Sequence, residues 1–112
     1  MSGFQEETDA FLRQLRAGNG RSDVTVADYR ESLSIAAEIF TQMGLSSFFS
    51  VRPDDARLLI LKLGSSGSGH AAATVRSRVS ALRSLYSFAI GKGLIASDPT
   101  EGIRLPRIPK RI

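Results

Sequence analysis

Thr74-Val-Arg-Ser-Arg-Val-Ser-Ala-Leu-Arg-Ser-Leu-Tyr-Ser-Phe-Ala-Ile90 is the stretch on which the fold turns. Val75, Val79, Leu82, Tyr86 and Ala89 recur at steps of four, three, four and three, which sets them on one stripe of a helix, with Leu85 and Ile90 at its margins. That stripe is core. On the same wheel Arg76, Ser77, Ser80, Arg83, Ser84 and Ser87 take the far side, and Arg78 and Thr74 project from the flank beside Leu85 and Ala81. The outer face carries three arginines and no carboxylate, whereas solvated helices usually interleave Glu with Lys in supporting i,i+4 pairs. Arginines and serines bind phosphates and base edges. The same residues are also compatible with a plain basic face on a solvated helix.

Outward toward the N-terminus, Gly64–Gly69 is a flexible Gly/Ser loop. No strand precedes its glycines and no Lys follows, which argues against a phosphate cradle. Before it, Pro53 with Asp54 and Asp55 marks the first turn of a helix running to Leu63, with Gly64 as its C′ residue. Leu45–Val51 is an apolar connector expected to pack across the core. Val26, Tyr29, Leu33, Ala36 or Ala37, Phe40 and Met43 keep a helical period until Gly44. Ser22 and Asp23 are candidate N-caps of that helix, Thr25 and Asp28 form a weak capping box, and its N-terminal end, with Thr25 and Arg21, suits phosphate. Residues 4–17 make a short amphipathic helix with acids first and bases last, stopped by Gly18-Asn19-Gly20.

Toward the C-terminus, Gly91-Lys92-Gly93 closes the organising helix with Leu94 or Ile95 folded back. Asp98–Gly102 forms one capped turn, and the alternating basic and apolar residues 103–112, with two prolines, read as an extended arm. The expectation is an all-α four-helix domain over residues 1–102 and a linker over 103–112.

The 112 residues suffice for one core. The net charge of +4 is unevenly spread: residues 1–56 hold 5 Lys/Arg and 9 Asp/Glu, and residues 57–112 hold 10 and 2. A basic half containing the organising helix fits a polyanion, most simply nucleic acid, although an acidic protein surface would also answer. No apolar run approaches a membrane span and the N-terminus lacks a signal pattern, so a soluble, cytoplasmic protein is expected.

With no cysteine and one histidine, His70 at the start of the fourth helix, neither a zinc set nor a Ser-His-Asp or Cys-His set can be assembled. Adjacent Asp54 and Asp55 diverge, and Tyr29 and Tyr86 fall on apolar stripes. No active site, metal or cofactor is expected.

Thr25-x-x-x-Tyr29-x-x-x-Leu33, then Thr74-Val75 leading to Val79-Ser-Ala-Leu-Arg-Ser-Leu-Tyr-Ser-Phe88, then Gly93-Leu94-Ile95 and Asp98-Pro99 resemble, over residues 4–110, the N-terminal core-binding domain of tyrosine recombinases, the Xer and phage-integrase group. The resemblance implies a SAM-like bundle of two crossed helical hairpins that sits on one face of double-stranded DNA at a recombination site, beside other recombinase protomers. The second and fourth helices approach the major groove, and the isolated domain is monomeric. By the same resemblance Thr25, Arg30, Thr74, Ser77, Arg78 and Arg83 face DNA, while Arg76 is added from the wheel alone. Thr74 and Arg78 are expected to hold the backbone, and Arg76, Ser77 and Ser84 to reach bases. The catalytic residues would belong to a domain following Ile112. The chain departs from the family pattern in Asp98 for Asn, in Ala71 for a capping Ser or Thr, and in Glu31 on the second helix. A helical protein-interaction module and a small helix-turn-helix repressor are the alternatives.

Overall fold

The computed structural model describes residues 3–19, 22–65 and 72–105. Among them lie four α-helices, α1 (Phe4–Asn19), α2 (Asp23–Gln42), α3 (Pro53–Ser65) and α4 (Ala72–Gly91), with one 3-10 turn at Phe48–Ser50 and no strand. Helix α1 packs on α2 and α3 on α4, and the two hairpins meet chiefly through α2 and α4. The expected all-α SAM-like bundle is the observed one.

Local signals set the helix ends. Ser22 caps α2, its hydroxyl oxygen accepting from the Thr25 amide at 3.2 Å. At the other end Gly44 adopts φ +89°, and the Leu45 and Gly44 amides bond back to the Phe40 and Thr41 carbonyls. This is a Schellman closure at the expected glycine. Helix α4 closes the same way, but at Gly93 with φ +71°, because the helix continues through Gly91. The apolar residue that folds back is Ile95; Leu94 is 53% exposed. Helices α1 and α3 also run about two residues past their expected ends, since Gly18 and Gly64 sit inside helical turns without needing positive φ. Asp55 reaches back to the Arg52 amide at 3.0 Å, the capping role its place in the first turn suggests.

The buried stripe of α4 is wider than a two-hairpin wheel anticipates. Ala81 and Leu85 are as deeply buried as Val79, Leu82 and Tyr86, because α4 contacts all three other helices and so loses more than one stripe to the interior. Phe48, on the connector, enters this core and meets Phe4 edge-on at a centroid distance of 4.8 Å. Beneath it the Glu7 carboxylate, 4% exposed, accepts from the Phe48 amide at 2.8 Å and from the Ser47 hydroxyl. The connector is thus pinned across the core by polar and apolar contacts together. Arg21, the 66–71 loop with His70 and Ala71, and residues 106–112 of the arm lie outside the described residues.

Candidate nucleic-acid interface

Thr74, Ser77 and Arg78 stand at i, i+3 and i+4 on α4, so one face of the helix presents all three. With Ala73 they line a groove of about 320 Å³ shared with Asp28, Glu31 and Ser32 of α2. Arg78 is half-buried there, its Nη1 pointing to the Ser32 hydroxyl across 3.4 Å and its Nε buried without a partner. A long bond and an orphan donor leave this cation under-satisfied within the protein. Beside the groove Arg76 and Ser80 are exposed along α4, as Ser77 is within it, with no acid on that helix.

The start of α4 differs electrostatically from the other three helices. Glu6 and Glu7 load the first turn of α1, Asp23 that of α2, and Asp54 and Asp55 that of α3, whereas the first turn of α4 holds no acid. Its dipole is not neutralised by its own side chains, and Thr74 lies in that turn. On the α2 wall Asp28 and Glu31 are exposed, which makes the groove bipolar: cationic on α4, anionic on α2.

The other expected contacts separate from this face. Thr25 is half-buried at the start of α2, its hydroxyl 3.0 Å from that of Ser22 in the cap. Arg30 lines the opposite groove, between α1 and α2, where its Nη1 pairs with Asp9 at 2.9 Å. Ser84, expected to reach bases, faces a third groove with Phe11, Tyr29 and Phe88. Arg83 is not on the outer face at all: half-buried, it donates from Nε to the Thr100 hydroxyl at 3.2 Å and from Nη2 to the carbonyls of Thr100 and Ile103, each at 3.3 Å. Nothing local in the sequence links Arg83 to a turn some twenty residues on. The bond Asp98 makes to Thr100 was at least suggested by its place before Pro99, where such side chains cap turns.

Elsewhere the site chemistry is sparse. Tyr86 is fully buried and donates to the Phe48 carbonyl at 2.9 Å. Burial first, then the charges of Asp98, Glu7 and Asp55, push its phenol far above the ordinary tyrosine range. Tyr29 is half-buried against Phe11, the ring centroids 6.1 Å apart. Among the described residues no cluster of His, Asp or Glu could hold a metal, and no helix is long and apolar enough to cross a membrane.

Comparison with known proteins agrees with this architecture. Residues 8–93 match the family model described as the phage integrase, N-terminal SAM-like domain. Among curated relatives, a tyrosine recombinase XerC of Yersinia pestis is 34% identical over 110 residues, covering 95% of this chain and 36% of the relative. Those of Roseiflexus castenholzii and Vibrio vulnificus are each 32% identical, covering 96% and 99% of this chain and 33% and 36% of the relative. The chain thus spans about a third of the length of the relatives it matches. No solved structure matches. Four helices paired as two hairpins, a recombinase-like order of motifs and a family match over residues 8–93 lead to one assignment: the chain belongs to the phage-integrase N-terminal SAM-like domain family.

Proposed function

We propose that the chain is the DNA-docking domain of a site-specific tyrosine recombinase, and that it meets double-stranded DNA through the N-terminal half of α4. The observation that carries this reading is the acid-free face of α4, where Thr74, Arg76, Ser77 and Arg78 lie within about the first two turns of a helix whose start has no acidic neighbour on α4. Phosphates accept from Thr74, Arg78 and the first amides of α4, which sets the register of the domain on the duplex. Arg76 and Ser77 extend toward base edges. Thr25 adds the start of α2, while Asp28 and Glu31 keep the rest of α2 away from the backbone. Arg30 and Arg83 serve the protein itself.

Residues 1–102 form the docking unit and residues 103–112 lead to a separate catalytic domain, so this chain alone performs no strand chemistry. It is a monomer in isolation and acts in the cytoplasm, beside other protomers on the same recombination site. Fluorescence anisotropy with a labelled 30-base-pair duplex, challenged by poly-glutamate, tests the reading. Binding to duplex that poly-glutamate does not compete at equal charge supports it. Preferential capture of poly-glutamate would replace it with an acidic-protein partner.

A further inference from the structure

We infer that Arg83 is a positioning residue that fixes the direction in which the chain leaves the helical domain. The inference rests on the reading above for its consequence, since the exit matters if a second domain follows; the contact itself stands independently.

Three donors of one guanidinium grip the turn after α4 at both ends. Nε reaches the Thr100 hydroxyl, and Nη2 is shared between the carbonyls of Thr100 and Ile103, on either side of Gly102. Gly102 sits at φ +79°, so the chain reverses there, and the Ile103 amide returns to the Thr100 carbonyl at 3.2 Å. Thr100 is 1% exposed and its hydroxyl has one proton to give. That proton goes to Asp98 Oδ1 at 2.7 Å, which also accepts the Thr100 amide at 2.8 Å, leaving the hydroxyl oxygen to accept from Arg83. Asp98, Thr100 and Arg83 therefore form a relay from carboxylate to guanidinium through one hydroxyl.

Apolar contact alone would hold this turn down without orienting it: Ile103 and Leu105 pack against the core only partly. A planar fork that sets Nε on the Thr100 hydroxyl and Nη2 on the Thr100 and Ile103 carbonyls fixes an angle, which a single ammonium point charge cannot do. Arg83 springs from the helix that carries the DNA-facing residues. The latch thus ties residues 100–105, where the chain leaves the bundle, to the same rigid element that sets the domain's register on DNA.

The chain has no cysteine, so spin labels placed on Ser80→Cys and Arg104→Cys, both exposed sites, are unique. Pulsed electron resonance should give one narrow distance distribution in the otherwise native chain. It should broaden in Arg83→Met and equally in Arg83→Lys, which keeps charge but not the fork. A control pair on Ser80→Cys and Gln42→Cys should stay narrow in all of them, and duplex affinity should change by no more than about two-fold. Thr100→Val, which removes the relay without touching α4, should broaden the first pair in the same way and decides the matter if Arg83→Met does not fold. An unchanged distribution in Arg83→Met or in Thr100→Val, or full restoration by Lys, overturns the inference; so does a loss of duplex affinity matching that of Arg78→Ala. Failure of the parent chain to bind any duplex would instead remove the DNA reading and leave the distance measurement intact.

Discussion

The Tyr86 hydroxyl donates to the Phe48 carbonyl at 2.9 Å in the interior, joining the central helix to the connector between the hairpins. Tyr86→Phe keeps the ring but leaves that carbonyl without this partner, a loss of about 1–3 kcal/mol. Tyr86→Ala adds a cavity and should cost about 3–5 kcal/mol. Urea unfolding of both variants checks the order. Burial of the same hydroxyl, with the nearby charges of Asp98, Glu7 and Asp55, makes stability depend on alkaline pH. The unfolded phenol ionises near its ordinary 10.0, while the folded one keeps its proton well beyond that. Above pH 10 the native state therefore binds more protons than the unfolded state. Stability should be level in this respect below about pH 10 and fall by up to about 1.4 kcal/mol per pH unit above it. Tyr86→Phe should flatten that decline.

Glu7 is the second polar anchor of the connector. Glu7→Gln keeps its oxygen on the Phe48 amide only by turning its NH2 to the Ser47 hydroxyl, which reverses that bond, and both bonds lose the charged acceptor. A destabilisation of about 1.5–3 kcal/mol is expected, the range for hydrogen bonds to a charged group. A Glu7→Gln chain as stable as the parent in urea would mean that apolar packing of Phe48 alone holds the connector.

Incubating the chain with supercoiled plasmid should yield neither nicked circles nor a covalent protein–DNA adduct. Tyr86 is sealed in the core with its proton held firmly, and Tyr29 is packed against Phe11. An adduct mapped by mass spectrometry to either tyrosine would contradict the assignment of strand chemistry to a separate domain.

How much of this was legible in the sequence follows from what each signal depends on. The α4 stripe, the Gly44 stop and the Asp98 turn are local, set by period and backbone chemistry, and they appear where the residues put them. The depth of Ala81 and Leu85 was not legible, because it comes from a third helix packing on α4. Arg30 and Arg83 show the same limit for sites. The resemblance turns both toward DNA and the wheel sets Arg83 on the outer side, but Asp9 and the Thr100 turn, distant in sequence, pair with their guanidinium groups. Thr74, Ser77 and Arg78 were readable together because their spacing is local to one helix.

Arg76 should carry what sequence preference the domain has. With a duplex selected for tight binding and a random duplex compared at one salt concentration, Arg76→Ala is expected to narrow the gap by about 1–3 kcal/mol, the worth of one bidentate guanine contact. Equal losses on both duplexes would reduce Arg76 to a phosphate contact.

The N-terminal half of α4, and not the α1–α2 groove, is the proposed contact with the DNA backbone. This contact is tested by the slope of log affinity against log salt for the parent, Arg78→Ala and Arg30→Ala. Each neutralised phosphate contributes about −0.9 to that slope. Arg78→Ala should reduce its magnitude by about one and weaken selected and random duplexes alike, while Arg30→Ala, which loses only an exposed pair with Asp9, should leave it unchanged. An unaltered slope for Arg78→Ala together with a reduced one for Arg30→Ala would move the interface to the other side of the bundle.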